Sequence, residues 1–349
     1  MSTILNMRAS IVDAHGAAPR IASVPRPVAA SGQVLVRIAA SAVNPLDVKI
    51  QMGAAPHARH PLPAVLGIDL AGTVEAIGEG VDGLRPGDEV YGMAGGVGGN
   101  QGSLAEYAAV DAALLARKPA NLSMRQAAAL PLIFITAWEG LVDRAGVRSG
   151  QLVLVQGGAG GVGQMVIQLA SAVGAEAFAV SGPEGRAAIE RLGATFIDRS
   201  DPVDDYVARL TDGRGFDLVY DTAGGATLDG SFLAVRRFGH VVSCLGWGTH
   251  ALAPLSFRAA TYSGVFTLLP LLTGEGREHH GEILAEATRL AEAGKLVPPL
   301  APQRFTLATV AEAYREVAMG TARGKLVVDI SEATHEPNPG SGNPSAAPR

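Results

Sequence analysis

Residues 153–163 read VLVQGGAGGVG, and the order of features around them decides the fold. The apolar run at 152–155 has the length and branching of a strand buried on both faces. A glycine cluster follows, with Gly158, Gly160 and Gly163 at G-x-G-x-x-G spacing. Residues 162–173 then carry helical periodicity. In a dinucleotide site, Gly158 allows the tight turn, Gly160 lets a pyrophosphate approach the backbone, and Gly163 lets helix and strand pack closely. The helix start offers N–H groups and partial positive charge to the phosphates, which brings in Gly161 and Val162. Glycine is common here, at 44 residues, so the spacing counts only because strand, turn and helix come in the right order.

Working outward, strands are expected at 177–180, 217–220 and 240–244, with a helix at 185–192. Strand–helix alternation predicts an α/β, doubly wound parallel sheet of Rossmann type. The tip of the second strand, where an acidic residue would hold the 2′-hydroxyl of NADH, reads Ser181-Gly182. Arg186 follows and Arg199 lies after the next strand, so a 2′-phosphate is the better fit and NADPH the expected cofactor. Two alternatives stay open: Glu184 could serve NADH, and Arg186 could be a solvated helix charge.

The first ~125 residues look different. Runs at 34–39 and 72–77, separated by turn signals such as Arg85-Pro86-Gly87-Asp88, suggest a partly open β-barrel. Residues 124–142 read as a helix broken near Pro131, 281–293 and 310–318 as helices, and 326–330 as a closing strand. Residues 335–349, rich in Pro, Gly, Ser and Asn, are expected to be disordered.

Composition excludes several functions. The net charge is −5 with no dense basic stripe, so nucleic acid is not expected as a partner. The one cysteine, Cys244, permits neither an internal disulfide nor a cysteine-rich zinc site, and reads as a buried strand residue. No segment reaches the ~18 apolar residues of a membrane span, and no secretory signal is visible, so the expectation is a cytoplasmic protein. There is no G-x-S-x-G elbow, and neither Gly294-Lys295 nor Gly324-Lys325 is followed by Ser or Thr, against a hydrolase or a P-loop enzyme.

Further stretches accompany the glycine loop: Asn44-Pro45-Leu46-Asp47, 66–72 (LGIDLAG), 85–92 (RPGDEVYG), 127–140 (AAALPLIFITAWEG), 216–225 (FDLVYDTAGG) and 324–328 (GKLVV). With them the chain resembles the medium-chain dehydrogenase/reductase superfamily, in particular its zinc-free quinone oxidoreductase (zeta-crystallin-like) branch. The resemblance covers roughly residues 8–330. It implies a GroES-like, β-rich catalytic domain over 1–126, a Rossmann NADPH-binding domain over 127–268, a return to the catalytic domain over 269–332, and a tail at 333–349. It also implies a cleft between the domains and a homo-oligomer, dimer or tetramer. The zinc-dependent branch has Cys near Asn44 and Gly-His-Glu where this chain has Gly67-Ile68-Asp69, so no metal is expected. His57, His60, His279 and His280 are read as solvated or loop residues.

Without a metal, the expected reaction is hydride transfer from NADPH to a small-molecule quinone or enone. Its incoming charge on oxygen needs hydrogen-bond donors. By resemblance Asn44 lies beside nicotinamide and substrate, or else fixes the loop before Pro45. Lys49, where some relatives have Tyr, is either a donor to the substrate or exposed. Thr136 is expected to bond the nicotinamide-side phosphate, and the Leu245-Gly246-Trp247 backbone the carboxamide. Trp247 and Tyr262 either line the cleft or pack in the core. A reductase of unsaturated aldehydes or enoyl thioesters, and a non-catalytic NADPH-binding protein, are the alternatives.

Overall fold

A computed structural model describes residues 5–331; the expected tail lies outside the described residues. Six strands form one all-parallel sheet in the order Thr195–Asp198, Glu176–Ser181, Leu152–Gln156, Phe216–Asp221, Val235–Ser243, Thr261–Gly264. The order reverses direction beside Leu152–Gln156, the switch point at which open α/β sheets bind ligands. Alternate residues serve opposite faces. Val153, Val155, Ala177, Ala179, Leu218 and Tyr220 join one core, and Leu154, Phe178, Val180 and Val219 the other. That is why the strands read as continuous apolar runs rather than as alternating ones.

The larger core continues into a second, mainly antiparallel seven-stranded sheet, the GroES-like part. Its long strand Gln33–Ala42 pairs with Asp69–Ile77 along its length, with Tyr107–Asp111 near its start, and with Val327–Asp329 at its end. The last described strand thus returns to the sheet of the N-terminal half: Val327 faces Ala42, and Val43 N–H donates to Leu326 O at 2.9 Å. Continuing that register by two residues sets Lys325 opposite Asn44.

The broken helix at 124–142 is three pieces: Met124–Ala128, Pro131–Trp138, and a π-helical turn, Glu139–Arg144. Gln126 caps the first by accepting from Ser123 N–H. Pro131, which lacks an N–H, sits at the first turn of the second, where none is needed. Among the described residues, no helix is long and apolar enough to cross a membrane.

Candidate active site

A cavity of about 480 Å³ lies where the two sheets meet, within the range of small-molecule sites. The glycine loop forms one wall. Gly157 carries the positive φ of the turn, +73°, not Gly158. Gly158 is needed for a different reason: a Cβ there would lie 2.5 Å from the Ala179 Cβ on the neighbouring strand. A Cβ on Gly163 would strike Gly157 O, so the expected close packing of helix and loop is present. Gly160 caps the helix Gly161–Ala172, with no side chain on its first N–H groups, and Gly160, Gly161 and Val162 line the cavity. These exposed donors fit a dinucleotide pyrophosphate.

Beside the loop lies a buried polar cluster drawn from three distant segments, of which Asn44 and Lys325 line the cavity. Asn44 precedes the helix Pro45–Gln51, and its N–H donates to Asp47 Oδ2 at 2.7 Å. Its Nδ2 donates to Asp69 Oδ2 at 2.9 Å, and its Oδ1 accepts from Lys325 Nζ. Lys325 also donates to Val43 O at 3.3 Å and stands 3.6 Å from Asp69 Oδ2. Leu132 N–H, in the first turn of Pro131–Trp138, gives Asp69 Oδ1 its partner at 2.9 Å. Burial disfavours the charged forms, raising the Asp69 carboxyl and lowering the Lys325 ammonium against their mutual attraction. Asp47 is pushed up to about 7, first by burial. Its Oδ1 finds no hydrogen-bond partner among the described residues.

Asn44, Lys49, Thr136, Gly160, Gly161, Val162, Leu245 and Trp247 therefore share one cavity. Of the two alternatives for Lys49, the structure shows the exposed one. Other expectations need correction. Thr136 already donates its hydroxyl to Leu132 O at 2.7 Å, as helix geometry favours, so it is not a free phosphate donor. In the Leu245–Trp247 loop, Leu245 N–H is taken by Ser243 Oγ at 3.0 Å and Trp247 N–H by Leu245 O at 2.8 Å. Gly246 packs against the Tyr262 hydroxyl, which leaves no room for a side chain. Trp247 lines the cavity and is 54% exposed, while Tyr262 stacks edge-on against Phe232. Cys244 lies just past its strand, on the cavity wall, and burial pushes its thiol up to about 12, so it stays protonated.

The histidines divide. His57 is a cavity residue, its ring stacked 5.1 Å from Trp247. His60 is half-buried, accepting from Gly99 N–H at 3.3 Å. His279 is exposed beside Asp143 and Glu282, but His280 is 1% exposed, inside the helix Arg277–Glu292.

Ser181, Arg186 and Arg199 gather at the strand tips beyond the cavity. Arg199 N–H donates to Ser181 O at 2.9 Å, and the Arg186 guanidinium lies 4.1 Å over the Phe196 ring. Acidic groups are also present: Glu184, the alternative left open by the sequence, and Asp198, which the sequence did not suggest for this tip. Asp198 is the register partner of Ser181, and Glu184 folds its carboxylate over Gly182.

The residues missed from sequence are Lys325 and Asp69 as site members, and Asp221. Asp221 is fully buried and ties two cavity loops together. It accepts from Ala223 and Gly224 N–H at 3.1 and 3.0 Å and from Ser243 Oγ at 2.7 Å. A lone charge inside an apolar run, as in Gly-Lys-Leu-Val-Val and Leu-Val-Tyr-Asp, was the available signal.

Comparison with known proteins agrees with this layout. Residues 30–120 match the alcohol dehydrogenase GroES-like domain, and residues 192–328 match zinc-binding dehydrogenases. The chain is 39% identical over 303 residues to a 2-methylene-furan-3-one reductase of Solanum lycopersicum, covering 85% of this chain and 71% of that protein. It is 36% identical over 303 residues to an NADPH-dependent alkenal/one oxidoreductase, chloroplastic, of Arabidopsis thaliana, covering 85% and 72%. An alcohol dehydrogenase superfamily protein from Novosphingobium aromaticivorans superposes with TM-score 0.92 at 57% identity, covering 93% of this chain and all of that one. Zinc does not fit the residues here: Asn44 and Ile68 are poor ligands, and the buried Lys325 ammonium donates to the Asn44 amide oxygen.

Proposed function

This chain belongs to the medium-chain dehydrogenase/reductase superfamily, and on that premise we propose that it is a zinc-independent, NADPH-dependent reductase of conjugated carbonyl compounds. One observation carries the reading. The glycine-loop helix start and the Asn44–Lys325 pair line the same cavity, the first suited to phosphate and the second to oxygen that gains charge. Bound there, reduced nicotinamide supplies a hydride. Gly160, Gly161 and Val162 hold the pyrophosphate through backbone N–H groups. Ser181, Arg186 and Arg199 take the 2′-phosphate. Asn44, locked in one orientation by Asp69 and Lys325, keeps its second amide hydrogen for the acceptor oxygen. Lys325 makes that amide a better donor by polarising its carbonyl. Lys49 at the mouth attracts the same oxygen.

The preferred acceptors are α,β-unsaturated ketones and aldehydes, since conjugation carries the added electrons to oxygen. Quinones are the second reading, favoured by one feature. His57, Trp247 and Phe266 present a ring surface at the mouth, with Trp247 and Phe266 centroids 6.2 Å apart. NADPH oxidation measured across enones, enals and benzoquinones tests both. Enones should turn over fastest. Absence of turnover with every acceptor, together with no NADPH binding by calorimetry, would sink the reading.

A further inference from the structure

One acid–base pair, His280 buried and Glu139 half-buried, has no part in the chemistry above. Glu139 opens the π-helical turn Glu139–Arg144, a form often found at functional sites. Its Oε1 lies 3.2 Å from His280 Nε2, and its Oε2 accepts from Thr267 Oγ1 at 2.8 Å. Thr267 Oγ1 is also 3.1 Å from Thr136 Oγ1. Both threonines line the cavity, whereas Glu139 and His280 stand behind them. His280 Nδ1 is buried and finds no partner among the described residues. Two neighbouring groups of that helix are engaged elsewhere, His279 with Asp143 and Glu282, and Arg277 with Asp111 at 2.8 Å.

A packing role alone would call for none of this. A carboxylate and an imidazole are expensive to bury, and nearby apolar residues would fill the space at no such cost. What the arrangement adds is an unbroken line of exchangeable protons from the cavity wall inward. Reduction of an enone needs such a source, because hydride supplies two electrons and only one of the two hydrogens.

We propose that Glu139 and His280 form the proton reservoir of the cleft, delivering through the Thr267 hydroxyl. The inference rests on the reductase reading. Hydride forms the new C–H bond at the β carbon, and the π electrons move onto the carbonyl oxygen. That oxygen takes the Thr267 hydroxyl proton, giving the enol, as Thr267 takes one from the protonated Glu139, whose other oxygen His280 Nε2 holds in place. Glu139, which keeps some exposure, is then reprotonated from water. Acceptor, hydride and one proton balance as the enol, which tautomerises to the saturated ketone. Glu139 and His280 act through Thr267 and touch no substrate; they are positioning and relay residues.

The test is single-turnover oxidation of bound NADPH by an enone, followed in H₂O and D₂O, with NADPH affinity measured separately by fluorescence. Glu139→Gln keeps an acceptor for Thr267 but holds no transferable proton. It should slow the turnover on the order of a hundredfold and leave NADPH affinity within about twofold. Thr267→Val should do the same, and Thr267→Ser should restore the rate, a rescue that a packing role would not give to the smaller side chain. The wild-type solvent isotope effect should vanish in Thr267→Val. If Glu139→Gln does not fold, the Val and Ser pair at position 267 decides. Wild-type rates in Glu139→Gln, or in Thr267→Val, overturn the relay while the reductase reading stands. An inert wild type overturns both.

Discussion

The two walls of the cleft are built in opposite ways. The phosphate wall comes from one stretch of about a dozen residues and works through backbone. Its demands are steric: positive φ at Gly157 and no Cβ at Gly158 or Gly163. The acceptor wall comes from Asn44, Asp69 and Lys325, up to 281 residues apart in sequence, and works through side-chain charge. The first is set by local geometry. The second exists only after the sheet has brought the chain's two ends together. The contrast predicts that the first wall fails by collision, and the second by loss of charge balance.

The largest effect should come from Lys325→Met. It keeps the length of the side chain and removes the ammonium, so Asp69 is left buried with its cation gone. Breaking such a pair costs about 3–5 kcal/mol. The loss should grow with rising pH, because an unpaired buried carboxyl is tolerated only while protonated. Adding Asp69→Asn should recover most of it, measured as urea-denaturation free energies in a double-mutant cycle. A single variant as stable as the parent would mean that the cluster is not held by charge.

Gly163→Ala probes the other wall. The new methyl meets Gly157 O, which is backbone and cannot swing aside. The overpacking cost is about 2–3 kcal/mol. It should be insensitive to pH, in contrast to Lys325→Met, and should weaken NADPH binding because the loop itself must shift. An equal pH dependence in both variants would erase the distinction between the walls.

Asp47→Asn should have a smaller, pH-gated effect. The Asp47 carboxyl is held at about 7, far above its usual range, mainly by burial. A raised acid contributes stability that is full below its unfolded pKa, near 4, and fades as pH rises through about 7. The parent should therefore lose on the order of 2 kcal/mol between pH 5 and pH 8 from this group, the part of the displacement that falls within that window at about 1.4 kcal/mol per pH unit. Asn keeps an acceptor for Asn44 N–H and cannot ionise, so the variant's stability should be flatter over that window. Thermal unfolding at both pH values reads the difference.

The same contrast explains what the sequence could disclose. The parallel sheet was legible because its strands are continuous apolar runs and its loop has a fixed glycine spacing. The role of each glycine was less so, since Gly158 is constrained by Ala179 on another strand. Asn44 was visible only through family resemblance, and Asp69 stood in the 66–72 stretch without being read as a site member. Lys325 was seen within Gly-Lys-Leu-Val-Val yet not as a partner of Asn44, because that follows from strand register. His280 looked like one of a solvated pair. The helix that buries it while exposing His279 was expected to begin only at residue 281, four residues late.

Arg186→Ala gives the smallest effect and tests where the phosphate wall ends. Arg186 is more than half exposed, and its 3.3 Å pair with Glu190 is worth little in water. Its ring platform, Phe196, still holds the guanidinium beside Ser181, where a 2′-phosphate would sit. Losing one charge-assisted contact of this kind corresponds to about tenfold in KM for NADPH, or about 1.4 kcal/mol. KM for NADH should not move, because the 2′-hydroxyl has no use for a guanidinium. Glu184 and Asp198 sharpen the comparison, since they would repel a 2′-phosphate that no arginine neutralised. If Arg186→Ala changes neither coenzyme, Arg199 carries the phosphate alone. If it instead improves NADH, the carboxylates already face the ribose and the tip is suited to both coenzymes.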